Sequence, residues 1–292
     1  MSGPFVTTIS LDLTDKLQSD LKEKDFTLSN PPYTVFSAKK QGVSLTLYQS
    51  GKLVVQGKKK DDFIHFYLEP EILQSLQYSY PSAHVDKTSR IGVDEAGKGD
   101  FFGPLCIGAV YADAKGIERL IEIGIKDSKT LNDKTISKLA LKVREEFKHK
   151  VIIIYPQKYN ELYSKFKNLN SLLAWGHATA IDHLVKDSKC TNVIIDKFAN
   201  EYVVKNAVKK KSIEIDLTQV HKGESDPVVA AASILARHAF VDSLDRFETQ
   251  YNFTFPKGAS KKVIQAKRNF VKKFSENELP NIGKMHFKTA KE

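Results

Sequence analysis

The chain has 292 residues, 41% of them hydrophobic and 27% charged, with a net charge of +10. That is the composition of a soluble globular protein with room for one large domain or two ordinary ones. No run of eighteen or more apolar residues occurs, so no bilayer span is expected, and residues 1–5 lack the charged leader and apolar stretch of a secretory signal. Cys106 and Cys190 are the only cysteines, too few for a disulfide framework or a thiolate zinc site, so a reducing cytoplasm is the expected setting.

In chain order, Thr14 is placed to cap a helix running to about residue 24. Three alternating apolar runs follow at residues 33–38, 43–48 and 52–55. Gln41-Gly42 and Ser50-Gly51 separate them as turn signals, which predicts a small antiparallel meander. Ile64, Phe66, Leu68, Ile72 and Leu73 recur at roughly helical spacing and predict a helix over residues 61–74. Residues 1–89 hold about ten lysines against about ten acids, so the positive excess lies downstream. The polar stretch at residues 79–90 reads as a linker. The expected organisation is a first domain at 1–79, a linker at 80–89 and a second domain at 90–292.

Beyond the linker the pattern changes. Residues 90–96 predict a strand and 105–111 its hairpin neighbour, followed by a helix at 133–148. The aliphatic run at 151–155 predicts a buried strand, residues 169–185 a helix, and 192–195 a second buried strand. Helices from Ala199, Pro227 and Ala259 and a strand near 213–217 complete the series. Strands alternating with helices predict an α/β layer fold. The last stretch concentrates Lys257, Lys261, Lys262, Lys267, Arg268, Lys272 and Lys273. A basic surface draws a polyanion by counterion release and steering; a merely solvated helix face fits the same pattern.

Three places hold acids with chemical interest. Val93-Asp94-Glu95-Ala96-Gly97 is a strand ending in two acids and a glycine. Neighbours on a strand face opposite sides, so Asp94 and Glu95 share a site only if the chain bends at once, which Gly97-Lys98-Gly99 permits. Solvated charges at a strand end give the same pattern. Asp196 follows the apolar run Val193-Ile194-Ile195, at the strand end where open α/β sheets place ligands; a helix cap is the alternative reading. In Gly223-Glu224-Ser225-Asp226-Pro227, Asp226 reads as an N-cap ahead of a proline at the first helical position. Glu224 has no such structural reason, and the Ala-rich run at 230–233 lets that helix pack close to a sheet. Two like charges about 4 Å apart repel by roughly 1 kcal/mol in water and about 4 kcal/mol at an effective dielectric near 20. Four gathered carboxylates therefore need cations, and all-oxygen ligation selects Mg²⁺ or Mn²⁺ over zinc. Two such ions, about 3.5–4 Å apart, activate a water and stabilise the leaving oxygen in a phosphodiester displacement. A basic protein with an all-oxygen metal site reads as a nuclease.

The segment from Gly92 to Asp100, with Gly103-Pro104 after it, resembles the opening motif of type 2 ribonucleases H. Lys126-Asp127-Ser128-Lys129, the Asp196 strand and the run from Ala230 to Arg237 occur in that family's order, over about 200 residues. Within that group the chain resembles ribonuclease HIII, by Gly-Lys-Gly in place of Gly-Arg-Gly, by Asn168-Leu169-Asn170 with Leu172-Leu173-Ala174, and by a glutamate as fourth acid. The resemblance implies an RNase H-like fold preceded by a small α+β domain resembling the TATA-binding-protein fold. It implies Asp94, Glu95, Asp196 and Glu224 as catalytic ligands of two Mg²⁺ or Mn²⁺ ions, with Asp226 the alternative to Glu224. It implies a monomer that hydrolyses the RNA strand of RNA–DNA hybrids and leaves 5′-phosphate and 3′-hydroxyl ends. In ribonuclease HII the segment matching Pro256-Lys257-Gly258-Ala259-Ser260 carries a tyrosine that senses an RNA–DNA junction. Ala259 stands there instead, so excision of single embedded ribonucleotides is expected to be weak.

Substrate contacts are expected from Gly97, Lys98 and Gly99, whose backbone can approach a minor groove and its 2′-hydroxyls. Lys126, Ser128 and Lys129 are expected to position phosphates, and Lys39, Lys40 and Lys52 to offer a basic face on the first domain. His177 and His183 read as packing or exposed residues, Trp175 as core and Cys106 as an inert buried thiol. Two rivals to a hybrid-cutting enzyme are a noncatalytic hybrid-binding protein and a related metal-dependent DNA nuclease.

Overall fold

The computed structural model describes residues 3–75, 78, 85–126, 128, 131–221 and 223–291. The chain divides into two compact units, residues 1–86 and 87–292.

In the first unit a five-stranded antiparallel sheet runs in the order β1-β5-β4-β3-β2. The three predicted runs are β3 (Thr34–Lys40), β4 (Val43–Tyr48) and β5 (Lys52–Gln56). Two strands escaped the sequence reading: β1 (Phe5–Thr8) pairs with β5, and β2, the three residues Thr27–Ser29, pairs with β3. Both lie at the sheet's edges, where a strand is short and only partly buried. Helix α1 spans Thr14–Glu23, but Thr14 is its first residue and not its cap; the Thr14 hydroxyl donates to Leu11 O. The predicted second helix begins as α2 (Lys60–Phe63) and then widens into π turns over Ile64–Leu73. Pro70 lies inside that segment and withholds an N–H from any regular ladder. Leu17 and Leu21 of α1 and Ile64, Leu68 and Ile72 of the wide helix cover the inward face of the strands, Phe36, Leu45, Leu47, Leu53 and Val55.

The second unit is a five-stranded mixed sheet in the order β10-β9-β6-β7-β8. β6 (Arg90–Ala96) pairs antiparallel with β7 (Leu105–Ala112) and parallel with β9 (Asn192–Asp196); β9 pairs parallel with β10 (Asp216–Val220). β8 (His149–Ile154), expected to be buried, is an edge strand with Ile153 exposed; the aliphatic run marks a strand but not its place in the sheet. The intervening helices are α3 (Ala114–Glu122), α4 (Asp133–Glu146), α5 (Pro156–Phe166), α6 (Leu169–Ser188) and α7 (Glu201–Lys209). Of these, α3 and α5 were not read from the sequence.

Helix α8 (Pro227–Tyr251) covers one face of this sheet at backbone contact. A Cβ on Gly92 would stand 2.4 Å from the Val228 carbonyl carbon, and one on Gly108 would stand 2.2 Å from Ala232 O. No side chain fits at either place. α8 is also long and apolar enough in composition to cross a bilayer, although it contains no run of eighteen apolar residues; 72% of that stretch is buried inside the protein. Helix α6 covers the opposite face, where Ile91, Val93, Ile107, Leu172, Leu173, Ile181 and Ile195 form one core. A second core joins α8 to α9 (Lys261–Phe274) and α10 (Leu279–Ile282) through Phe101, Phe102, Phe240, Phe255 and Phe270. The basic α9 thus buries Val263 and Phe270 and turns its lysines outward.

Asp226 caps α8, its Oδ1 accepting from the Val228 and Val229 amides. Its Oδ2 accepts from Arg90 Nε at 2.8 Å and lies 2.7 Å from a second guanidinium nitrogen, with Arg90 buried. Asp226→Asn keeps a capping oxygen but leaves the guanidinium without its counter-charge, which costs about 3–5 kcal/mol when such a pair is broken. Denaturant titration of the variant should show that loss; a change below about 1 kcal/mol, the range of solvent-screened pairs, would mean that water already screens Arg90.

Candidate active site

The candidate acids stand at the ends of adjacent strands because of the parallel register. Gly92 faces Ile194 and Val93 faces Ile195; one step further along both strands come Asp94 and Asp196. Strand neighbours lie roughly 4.8 Å apart. Val220 of β10 lies opposite Asp196, and the chain then turns back over it. The Gly223 amide donates to Asp196 Oδ1 at 2.9 Å, and a Cβ on Gly223 would come within 2.9 Å of the Asp196 Cα. Glu224 follows in the tight turn Gly223–Ser225 and is half-buried.

Asp94 and Glu95 do face opposite sides of the sheet. Asp94 is turned toward α8, where the Ser233 hydroxyl bonds its carboxylate, and it also accepts from the Glu95 amide at 2.8 Å. Ser233 Oγ is 2.8 Å from Ser128 Oγ. With the Ser233 hydrogen given to Asp94, Ser128 must donate to Ser233. Glu95 is turned toward α6, where His177 Nε2 lies 3.0 Å from its Oε2 and Lys98 Nζ lies 3.4 Å from its Oε1. The Phe198 ring packs on His177 and under the Lys98 ammonium. β6 continues to Ala96, and the bend comes at Gly97, with φ of +84°.

Among the described residues, no three His, Cys, Asp or Glu side chains stand close enough together to hold a metal ion. The strand register sets Asp94 beside Asp196 and the Gly223 turn closes on Asp196, while the side chains of Asp94, Glu95 and Asp196 engage protein donors. Like charges repel, and Asp94, Glu95 and Asp196 each accept from a local donor. The donor set still suits a hard divalent cation, being carboxylate oxygen throughout. Burial, and then the charge of Glu95, push the Asp94 carboxyl up to about 7. Burial pushes Glu95 up as well, but His177 and Lys98 outweigh it and hold Glu95 below its ordinary value.

The remaining predicted contacts divide. Gly97, Lys98 and Gly99 form the loop beside the acids, and Lys126 is exposed. Ser128 is buried with its hydroxyl committed to Ser233, so it braces Asp94 instead of meeting solvent. Lys129 lies outside the described residues. Lys39, Lys40 and Lys52 are exposed on the first unit. His177, read as a packing or exposed residue, is a buried partner of Glu95, whereas His183 is exposed. Trp175, expected in the core, is half-buried. Cys106 is buried, and burial pushes its thiol up to about 12.

One residue had no signal in the sequence. Lys284 is fully buried and donates to Asp100 O at 2.8 Å and Gly103 O at 2.7 Å. The Gly258 amide donates to the Asp100 carboxylate at 2.6 Å, and the Gly103 amide to Ile282 O. The C-terminal segment therefore fixes the loop that follows the two acids.

Residues 91–290 match the ribonuclease HII family, and residues 4–80 match a domain of unknown function (DUF3378). This defines a type 2 ribonuclease H fold behind a separate N-terminal domain. The ribonuclease HIII of Protochlamydia amoebophila is 51% identical over 286 residues, covering 98% of this chain and 95% of the relative. That of Chlamydia pneumoniae is 49% identical over 295 residues, covering 100% and 98%. A crystal structure of Bst-RNase HIII in complex with Mn²⁺ superposes with a TM-score of 0.69 at 26% identity, covering 99% of this chain and 97% of that one. The Aquifex aeolicus RNase H3 structure gives 0.57 at 27% identity, covering 97% and 99%. The chain belongs to the ribonuclease HIII family, metal-dependent hydrolases that cut RNA endonucleolytically within RNA–DNA hybrids.

A raised Asp94 has a consequence for stability. Its folded value lies above the unfolded one, so its folded form binds the extra proton between about pH 4 and 7, and the metal-free protein loses stability as pH rises through that window. Asp94→Asn removes the buried charge and should raise the melting temperature in EDTA at pH 8 by at least about 2–4 °C, the shift expected per kcal/mol for a domain of this size. The gain should be smaller at pH 5, where folded Asp94 is largely protonated, and should vanish only below about pH 4, where the unfolded chain is protonated as well. Equal gains at pH 8 and pH 5 would detach the effect from ionisation.

Proposed function

We propose that the chain cleaves the RNA strand by a two-ion mechanism in which Asp94, Glu95, Asp196 and Glu224 hold two Mg²⁺ or Mn²⁺ ions. The observation that carries this reading is the placing of Asp94 and Asp196 side by side at the ends of parallel strands, with the Glu224 turn closed over Asp196. The Mn²⁺ complex of the related Bst enzyme supports a divalent ion. When bound, the ions supply activation of water and stabilisation of the leaving oxygen in an in-line displacement that leaves 5′-phosphate and 3′-hydroxyl ends. Glu224 is preferred to Asp226 as fourth ligand because both oxygens of Asp226 are committed to the α8 amides and to Arg90.

The chain's other residues position the substrate. Gly99 has open space where a Cβ would stand, so the backbone of the Gly97-Lys98-Gly99 loop can approach 2′-hydroxyls closely. Lys98 lies beside Glu95 and can exchange that carboxylate for the hybrid once cations neutralise the site. Lys126 contributes a phosphate contact, and Lys39, Lys40 and Lys52 make the first unit a gripping module. Ala259 offers no ring or hydroxyl for an RNA–DNA junction, so single embedded ribonucleotides are poor substrates. The protein works as a cytoplasmic monomer.

Cleavage should be measured on an RNA–DNA hybrid, a duplex with one embedded ribonucleotide, duplex DNA and duplex RNA. Only the hybrid should be cut efficiently. Asp196→Asn and Glu224→Gln should each leave less than about a tenth of wild-type turnover, a barrier increase above roughly 1.4 kcal/mol, with hybrid binding largely kept. Greater loss in a folded Asp226→Asn than in Glu224→Gln would reverse the roles of those two residues.

Deleting residues 1–85 leaves every candidate acid in place and removes the first compact unit. The loss should appear mainly in KM and grow with salt, because fewer phosphate contacts remain to hold the complex. Equal KM values for the truncated and full-length proteins across a salt series would mean that this unit does not grip the hybrid.

A further inference from the structure

We propose that the second unit carries an additional nucleic-acid site, a cleft between α5, α6 and α7 that takes a single-stranded overhang leaving the carboxylate site. The cleft encloses about 570 Å³, within the size of clefts that hold small ligands, about 300–1,000 Å³. That is room for a nucleotide or two and not for a duplex. Phe166, Trp175 and Tyr202 line it together with Lys165, Lys210 and Lys211, and no acidic residue does.

The lysines in the cleft differ from their neighbours. On the same two helices Lys158 and Lys205 are paired with Glu161 and Glu201 at 2.7 and 2.5 Å. Lys165, Lys210 and Lys211 make no ion pair within 4 Å among the described residues, and Lys165 acts only at longer range on Glu161, which Lys158 already holds, so their charge is open to a ligand. Tyr202 is 70% exposed, a ring held in water in the first turn of α7. Trp175 is half-buried against Phe166, with ring centroids 6.3 Å apart. Open aromatic faces beside unpaired cations bind unstacked bases and their phosphates without reading sequence, each base–aromatic stack contributing about 1–3 kcal/mol. Bases in a duplex present no free face to such rings.

The cleft is joined to the acids by the same two elements. Trp175 and His177 are two residues apart on α6, about 200° round the helix, so one side of α6 meets Glu95 and the other lines the cleft. From Asp196 the chain passes Phe198, which packs on His177 and Lys98, and reaches Tyr202 four residues later. A strand leaving the acids along Phe198 meets Tyr202 next. This path rests on the proposed hybrid-cutting reading; the cleft's affinity for single strands does not.

Trp175 is the only tryptophan in the chain, so its fluorescence reports the cleft directly. The full-length protein in EDTA is titrated with short oligothymidine and oligouridine. Saturable quenching is expected, with affinity falling at least about tenfold between about 50 and 200 mM salt. Tyr202→Ala should weaken it about fivefold or more, the equivalent of one lost stack, and Lys165→Gln/Lys210→Gln/Lys211→Gln about tenfold or more. Melting curves confirm that both variants are folded. With metal present, a hybrid bearing a single-stranded overhang should show a lower KM than a blunt one, and Tyr202→Ala should erase that difference while blunt-hybrid kcat stays within about twofold, too small a change for a group in the chemical step. Absent quenching, or quenching unaltered in both variants, overturns the site. Quenching with equal KM for blunt and overhanging hybrids overturns its continuity with the acids. Failure of the wild type to cut any hybrid would instead sink the hybrid-cutting reading, and the fluorescence titration would still decide whether the cleft binds single strands.

Discussion

The arrangement of the second unit depends on how closely α8 lies on the sheet. Gly92 and Gly108 give the helix backbone a seat that any side chain would destroy. That seat fixes the helix's first turn, where Asp226 binds two amides and the buried Arg90 of β6, so the strand and the helix are locked at one point. It also fixes Ser233 on Asp94, and it sets where the chain must turn between β10 and α8, over Asp196. The strand register sets Asp94 beside Asp196, and the helix-to-sheet distance sets the Ser233 contact of Asp94 and the turn that carries Glu224 over Asp196.

The acids themselves are unequal. His177 and Lys98 hold Glu95 below its ordinary value, whereas burial and the charge of Glu95 push Asp94 up to about 7. Like charges that share a site separate in this way when no cation is present. A divalent ion held by these carboxylates, as proposed above, would favour the ionised form of Asp94 and would compete with Lys98 for Glu95.

Much of this was legible in the sequence where the signal is local. The strand ends carrying Asp94 and Asp196, the Asp226-Pro227 start of α8 and the inner strands of the first unit follow from short patterns of alternation, capping and turn chemistry. The resemblance in the Gly92–Asp100 segment identified the family. What escaped depends on contacts between distant residues. His177 looks like any histidine on a Leu/Ala-rich helix until the fold brings it against Glu95, 82 residues away. Ser128 meets Ser233 across 105 residues. The run at 151–154 has the composition of a central strand and lies at an edge because nothing pairs with its far side. The objection that consecutive strand residues face apart was correct for Asp94 and Glu95, and only their different partners, α8 and α6, reveal it.

The contacts of Lys284 with Asp100 and Gly103 span 184 and 181 residues of chain. Contacts of such long sequence separation close late, since the loop entropy is paid before the contact returns anything. The turn beside the candidate acids therefore depends on the C-terminal helices that pack around Phe101 and Phe102. A chain that lacked the segment around Lys284 would keep the residues of its sheet and lose the two hydrogen bonds that hold Asp100 and Gly103.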